Sequence, residues 1–274
     1  MKLKEIPVSI FKSIALLTRP AHKIKVRSEN EVPVIISLTS IPSRLHTLHL
    51  VIRSILDQTI HPKKILLWLN ESLKNDIPKQ LKILEGDLFE IKYSKLTCSH
   101  RKLIHTIQNY PDTTVVTCDD DFMYRSDWLQ LLYKEHLKNP DRIIANQTRY
   151  ITYNDEGDLL PYKQWKYSSD KVFNPDAVIP IGAEGVLYPA KVLSEKTTDV
   201  DLFLKLTPKA DDLWFKAMGL LKKTRSILAT EKAKTPIPIL GSQKESLKKT
   251  NIGADKNREQ WLAVTKYFDL NLVQ

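Results

Sequence analysis

Residues Thr113 to Tyr124 read TTVVTCDDDFMY, an apolar, β-branched run that stops abruptly at three adjacent carboxylates, Asp119, Asp120 and Asp121. The run has the length and branching of a strand buried on both faces, as parallel strands are. Three like charges side by side repel, so they are tolerated only where solvent or a cation offsets the repulsion. Open α/β sheets bind their ligands at the carboxyl ends of their strands. The cluster therefore has two readings, an acidic turn or a site for a divalent cation, and the surrounding chain must decide between them.

Outward from this stretch the chain alternates. Strands are predicted at residues 34–38, 64–69, 89–93, 113–118 and 142–146, and helices at about 45–57, 78–84, 100–109 and 127–137. Short apolar strands alternating with amphipathic segments predict a largely parallel sheet covered by helices. Right-handed connections gather the strand ends on one edge. Thr39, Ser40, Asn70, Glu71 and the aspartate cluster are expected there.

After about residue 146 the alternation breaks. Six aromatics, Tyr150, Tyr153, Tyr162, Trp165, Tyr167 and Phe173, are scattered among polar residues without a helical or strand period. Exposed rings in such a loop suit the apolar faces of sugars; core packing suits any one of them equally well. A Gly182-Ala183-Glu184-Gly185 turn follows, and then Asp211 and Asp212 at the start of an apolar helix running to Leu221.

The chain has 274 residues, 42% hydrophobic, enough to bury a full core in one main domain. Two cysteines make no disulfide framework and fit a reducing cytoplasm. No apolar run approaches the ~18 residues of a membrane span, and the start lacks the pattern of a secretory signal. Residues 1–30 read as an appendage. Ile10, Phe11, Ile14 and Leu17 fall on one helical face among Lys2, Lys4, Lys12 and Arg19. That stripe suits either an anionic membrane surface or docking on the domain.

The net charge is +10, and eight basic residues against two acidic ones between Lys222 and Lys249 supply +6 of it. Such a patch suits a diphosphate, acidic lipid headgroups or nucleic acid, or is a solvated loop with no partner. As an interacting segment it would be a flap over a diphosphate or a dock for a lipid-linked acceptor. No helix-turn-helix, zinc-finger or RNA-recognition signature is present, so nucleic acid is not the expected partner. A metal-dependent phosphatase or nuclease would use the same carboxylates. It would also need a nucleophile or an acidic histidine beside them, where Phe122 and Met123 stand.

Aspartates are hard oxygen ligands for Mg²⁺ or Mn²⁺, and a further carboxylate can deprotonate an attacking hydroxyl. With these parts in order, the chain resembles bacterial nucleotide-sugar glycosyltransferases of the GT-A fold, found in capsule, lipopolysaccharide and other surface-glycan synthesis. The resemblance rests on ISLTSIPSRL, KKILLWLNE, HRKLIHTIQNYPDTTVVTCDDDFMY, GAEGVLYP and ADDLWFKAM, spread over about residues 34–218. It implies a Rossmann-like, mostly parallel sheet flanked by helices, with C-terminal additions. Residues 31–274 would form one domain, with a nucleotide-binding half at 31–146 and an acceptor-binding half at 147–274.

The resemblance further implies that Thr39, Ser40, Arg44, Asn70, Lys102, Asp119, Asp120 and Glu184 bind the donor, foremost a UDP-sugar. Asp119 and Asp121 would hold Mn²⁺ or Mg²⁺, with Asp121 the more direct ligand. Asp211 and Asp212 would be catalytic, Asp212 as the base of an inverting transfer. Arg149, Trp165 and Trp214 would face a glycan or lipid-linked acceptor. The enzyme would work in the cytoplasm, in peripheral contact with the inner face of an anionic membrane. One departure stands out: many relatives complete the metal sphere with a late histidine, and the last histidine here is His136.

Overall fold

The computed structural model describes residues 3–27, 29–167, 174–242 and 255–272. Helix α1 (Ile6–Leu17) and the single turn α2 (Ala21–Ile24) come first. The alternating part runs β1 (Glu31–Thr39), α3 (Leu48–Leu56), β2 (His61–Asn70), α4 (Lys79–Lys82), β3 (Phe89–Ser94), α5 (Arg101–Asn109) and β4 (Thr114–Thr117). It continues through the short β5 (Phe122–Met123), α6 (Trp128–Lys138) and β6 (Ile143–Ala145). The later part carries β7 (Thr148–Tyr150), β8 (Lys166–Tyr167), β9 (Val178–Pro180), β10 (Val186–Tyr188), α7 (Val200–Leu206) and α8 (Asp211–Leu221). It ends with β11 (Ser226–Leu228), β12 (Ile237–Pro238) and α9 (Lys256–Phe268).

Seven strands form one sheet in the order β11-β6-β10-β4-β1-β2-β3. Every neighbouring pair is parallel except those of β10, which runs antiparallel to β4 and β6. The fold is thus the mostly parallel α/β sheet that the alternation predicts, and it is Rossmann-like as the resemblance implies. A three-stranded sheet, β8-β7-β9, and a small β5–β12 ribbon flank it.

The reason for the continuous apolar run in β1 is burial on both faces. Val34, Ile36 and Leu38 pack into the core that holds the buried side of α3, whereas Ile35 meets Leu66 and Trp68 on the other side. Each such side chain stabilises the fold by about 1.5–3 kcal/mol. The polar member of that run, Ser37, is fully buried and needs partners; its hydroxyl donates to the Lys102 carbonyl and meets the Thr106 hydroxyl at 2.7 Å. This bond seats α5 against β1.

Parallel pairing brings the carboxyl ends of β1, β2 and β4 to one rim. β10 enters the sheet from that rim, with Val186 opposite Thr117, so the turn before it lies beside Cys118–Asp121. Gly185 has φ +102, and a Cβ there would stand 2.6 Å from the Trp128 ring, so only glycine lets the turn lie flat on α6.

Two expected acceptor contacts are corrected by burial. Trp165 is 1% exposed, lies tilted against Tyr162 with ring centroids 4.8 Å apart and donates its indole N–H to the Leu160 carbonyl at 2.9 Å. Trp214 is 0% exposed and donates to the Thr197 carbonyl at 2.9 Å. Neither ring is presented to an acceptor. Of the scattered aromatics, Tyr167 is exposed, and Phe173 lies outside the described residues. Lys2, Lys244, Lys248 and Lys249 lie outside them as well. Among the described residues no helix is long and apolar enough to cross a membrane.

Candidate active site

The rim assembles two carboxylate groups, each around its own cation. In the first, Arg44 leaves the 3-10 turn Pro42–Arg44 and pairs with Asp120, with its second terminal nitrogen 3.3 Å from Asp121. Ser40 donates to the other Asp120 oxygen at 2.5 Å. Arg44 Nε donates to the Ser242 carbonyl at 3.1 Å. Burial would lower the Arg44 pKa, but Asp120 and Asp121 outweigh it and hold it high. Burial likewise lifts the Asp120 carboxyl against the pull of Arg44 and Ser40.

In the second group, Lys102 from the first turn of α5 lies 3.0 Å from Asp119 Oδ1 and 3.1 Å from Asp211 Oδ2. A lysine in a first helical turn is ordinarily solvated; this one is buried, because Ser37 holds its backbone carbonyl and two aspartates hold its ammonium. Burial acts to lower its pKa, and Asp119, Asp211 and Asp212 overcome it, keeping the ammonium charged.

Asp211 and Asp212 open α8, where the helix N-terminus favours negative charge. Their environments separate them. Burial pushes Asp211 up, but Lys102, His100 and a 2.8 Å bond from the Ser99 hydroxyl bring it below the ordinary carboxylate range. Asp212 is half-buried and accepts the Gly182 N–H at 3.2 Å. Burial first, then Asp211 and Asp119, push it up to about 7. Two adjacent carboxyls with opposed shifts are the pattern of a fixed anion beside a titrating acid or base.

Both sides meet at Gly182. A Cβ there would stand 3.1 Å from Asp212 Oδ1, 3.2 Å from Lys102 Nζ and 3.7 Å from Asp119 Oδ1. The turn is fastened by hydrogen bonds to its carbonyls, from Tyr124 to Ala183 at 3.1 Å and from Trp128 and Asn146 to Glu184 at 2.8 and 3.1 Å. Beyond it opens a cavity of about 610 Å³ lined by Glu184, Thr148, Tyr167, Leu228, Lys232 and Thr235. Burial raises the Glu184 carboxyl, with Lys232 opposing. Arg149 stands behind this cavity, its guanidinium 4.5 Å from the Tyr167 ring centroid and 4.9 Å from that of Tyr162.

Other expected donor residues are engaged within the protein. The Thr39 hydroxyl donates to the Trp68 carbonyl at 2.7 Å and accepts from Arg101. Asn70 donates to carbonyls of residues 94–96 and accepts from Ser72 N–H, closing the β2–β3 edge. Asp120 has both oxygens taken. Within the triple aspartate, Asp119 has 35% of its side chain open, while Asp121 is buried behind Arg44.

Two residues passed unnoticed in the sequence. Arg101 is buried and donates to Thr39 Oγ1, the Ser40 carbonyl and the Leu96 carbonyl, so it shapes the loop after β1. Tyr124 accepts the Asp119 N–H at 2.9 Å, bracing the aspartate run from beneath. The adjacent Arg101-Lys102 pair at the start of α5, directly before Leu103 and Ile104, was the available signal for the first.

Five carboxylates face two directly paired cations, so the rim keeps net negative charge and suits an incoming cation. Among the described residues no three His, Cys, Asp or Glu side chains converge as a resident metal site.

No protein-family model matches the chain, and no curated protein matches it. Among solved structures, 4-diphosphocytidyl-2C-methyl-D-erythritol synthase from Anaerococcus prevotii DSM 20548 aligns over 84% of this chain and 94% of its own, at 12% identity and a TM-score of 0.46. The fold stands on the strand order and directions themselves.

Proposed function

We propose that the chain is a nucleotide-sugar glycosyltransferase that moves a sugar from a nucleoside-diphosphate donor to a hydroxyl of a glycan or lipid-linked acceptor. The observation that carries this reading is the convergence of Lys102, Asp119 and Asp212 on Gly182, with Asp211 paired to the same lysine, at the carboxyl rim of parallel strands. That rim is where open α/β sheets hold nucleotides. Asp212 is the general base: Gly182 orients one of its oxygens, and a pKa near neutrality lets it take a proton and release it again. Lys102 and Asp211 fix its position and charge. The cavity beside Glu184, Tyr167 and Lys232 receives the sugar or its acceptor, with Arg149 stiffening its wall.

Mn²⁺ or Mg²⁺ belongs to the proposal as an ion that arrives with the nucleotide. Asp119 and Asp121 would hold it, diphosphate oxygens and water completing the sphere, and it would neutralise charge on the departing diphosphate. A base facing the sugar from the side opposite the diphosphate gives inversion at the anomeric carbon.

A thermal-shift panel of UDP, CDP and GDP, their sugars and nucleoside triphosphates, with and without Mn²⁺, tests the reading. Stabilisation by a diphosphate sugar, strengthened by Mn²⁺, is expected. No response to any nucleotide would remove the proposal, and pyrophosphate release from a triphosphate would mark nucleotidyl transfer instead.

A further inference from the structure

Helix α1 is attached the wrong way round for a helix of a soluble protein. Two serines and one leucine face inward: Ser9 and Leu16 are buried, and the Ser13 hydroxyl reaches the Met123 sulfur at 3.6 Å. Ion pairs from Lys12 and Arg19 to Asp57 hold it, and Arg53 donates to the Leu16 and Arg19 carbonyls at 3.0 and 2.8 Å. Most of its large apolar side chains are left outside. Leu3, in the 3-10 turn Leu3–Glu5 before the helix, is 86% exposed; Phe11 is 76% exposed, and Ile10, Ile14 and Leu17 each about half. They recur at helical spacing, so they form one continuous stripe rather than scattered surface residues.

The surroundings of the stripe say what covers it. Between residues 3 and 27 stand six basic side chains against one acidic, Glu5. Lys4, just before the helix, and Lys23, in α2 just after it, are exposed, and no ion pair involves either among the described residues. An apolar stripe bordered by lysines matches the headgroup zone of an anionic bilayer, where such a helix sinks roughly 5–10 Å. A protein groove would need acidic residues of its own to match this border. We infer that α1 is a membrane-surface helix that seats the protein on an anionic lipid bilayer. Its contact with Met123, two residues after Asp121, keeps the rim close to that surface. The inference stands independently of the reaction proposed above.

Flotation of the full chain with vesicles of phosphatidylcholine alone, and of phosphatidylcholine with phosphatidylglycerol, tests it. The wild type should float with the anionic vesicles and at least tenfold less with the neutral ones. Phe11→Asp/Ile14→Asp should stay at the bottom of the gradient with an unchanged melting temperature, since both side chains point to solvent. Lys4→Glu/Lys23→Glu should lose binding to anionic vesicles only. The inference fails if the wild type does not float at low salt, if the aspartate variant floats equally well, or if charge reversal changes nothing. It fails too if light scattering shows a dimer that the aspartate variant dissolves while neither protein floats, since a second copy would then cover the stripe.

Discussion

The Arg44 group and the Lys102 group lie on the same sheet rim and solve the same problem by different means. Arg44 reaches in from a turn, keeps 14% of its side chain exposed and is braced from outside by the Ser242 carbonyl. Lys102 comes from beneath, 6% exposed, on a helix fastened to β1 through Ser37. The first is a peripheral clamp over Asp120 and Asp121; the second is a foundation under Asp119 and Asp211. A ligand approaching from solvent can compete with the clamp but leaves the foundation in place.

The largest effect should therefore come from Lys102. Lys102→Met keeps the volume and removes the charge, leaving Asp119, Asp211 and Asp212 uncompensated at a mostly buried site. Breaking such a pair costs about 3–5 kcal/mol. The wild-type lysine has its pKa raised, so its contribution is fully present at neutral pH and is lost only as pH rises through that raised value. In the variant, protonating the carboxylates relieves the repulsion, so the deficit in urea denaturation should shrink towards acidic pH. A deficit equal at all pH values would mean that Lys102 matters for packing alone.

Asp212→Asn should have the largest effect on turnover and the opposite effect on stability. Loss of a general base lowers the rate about 10²–10⁴-fold, with nucleotide-induced stabilisation retained. The Asp212 pKa rises from 3.8 unfolded to about 7 folded, so the native state binds the extra proton between those values. Stability from this group accordingly falls as pH rises from about 4 to about 7, and the penalty is full above that. Asn removes the penalty. The variant should melt higher than the wild type at pH 8, by at least ~2–4 °C, with the gap closing towards pH 4. Near-native turnover would end the base assignment.

Much of this rim was legible in the residues. The β-branched run to Cys118 located β4 to within a residue at each end, because a strand covered on both faces leaves little choice of residue type. Asp211 and Asp212 were legible as a helix start. The fate of the aromatic segment was not: Trp165 and Tyr162 are core residues and Tyr167 is exposed, a division set by packing against α8 and α9 that no local period encodes. Lys102 showed the same blindness. Whether a first-turn lysine points to water or to two aspartates depends on residues 17 and 109 positions away in the chain. The stripe on α1 was visible too, but nothing in its spacing revealed that the helix docks by its other face.

Arg44→Gln tests the other half of the comparison at smaller cost. Asp120 keeps its Ser40 bond and, with its pKa already raised, neutralises itself readily. A loss of about 1–3 kcal/mol is expected, the range for a buried polar group deprived of its partner. Because a cation can then take the place of the guanidinium, Mn²⁺ should stabilise this variant more than the wild type in thermal melts. Equal responses would show that Arg44 and the ion do not compete.

The smallest effect on folding, and the sharpest on binding, is expected at Gly182. Its φ lies outside the left-handed region, so the backbone accepts alanine. The added methyl would sit 3.1 Å from Asp212 Oδ1 and 3.2 Å from Lys102 Nζ, closer than ordinary contact, and both groups can yield by a few tenths of an ångström. The stability cost should stay near 1 kcal/mol, the low end for inserting a methyl into a packed site. Yet the methyl occupies the point where the two acid clusters and the lysine face one another, so nucleotide-induced stabilisation should fall well below that of the wild type. Gly182→Ala with unaltered nucleotide response would place the ligand elsewhere on the rim, on the Arg44 side, and would make the clamp rather than the foundation the working half of the site.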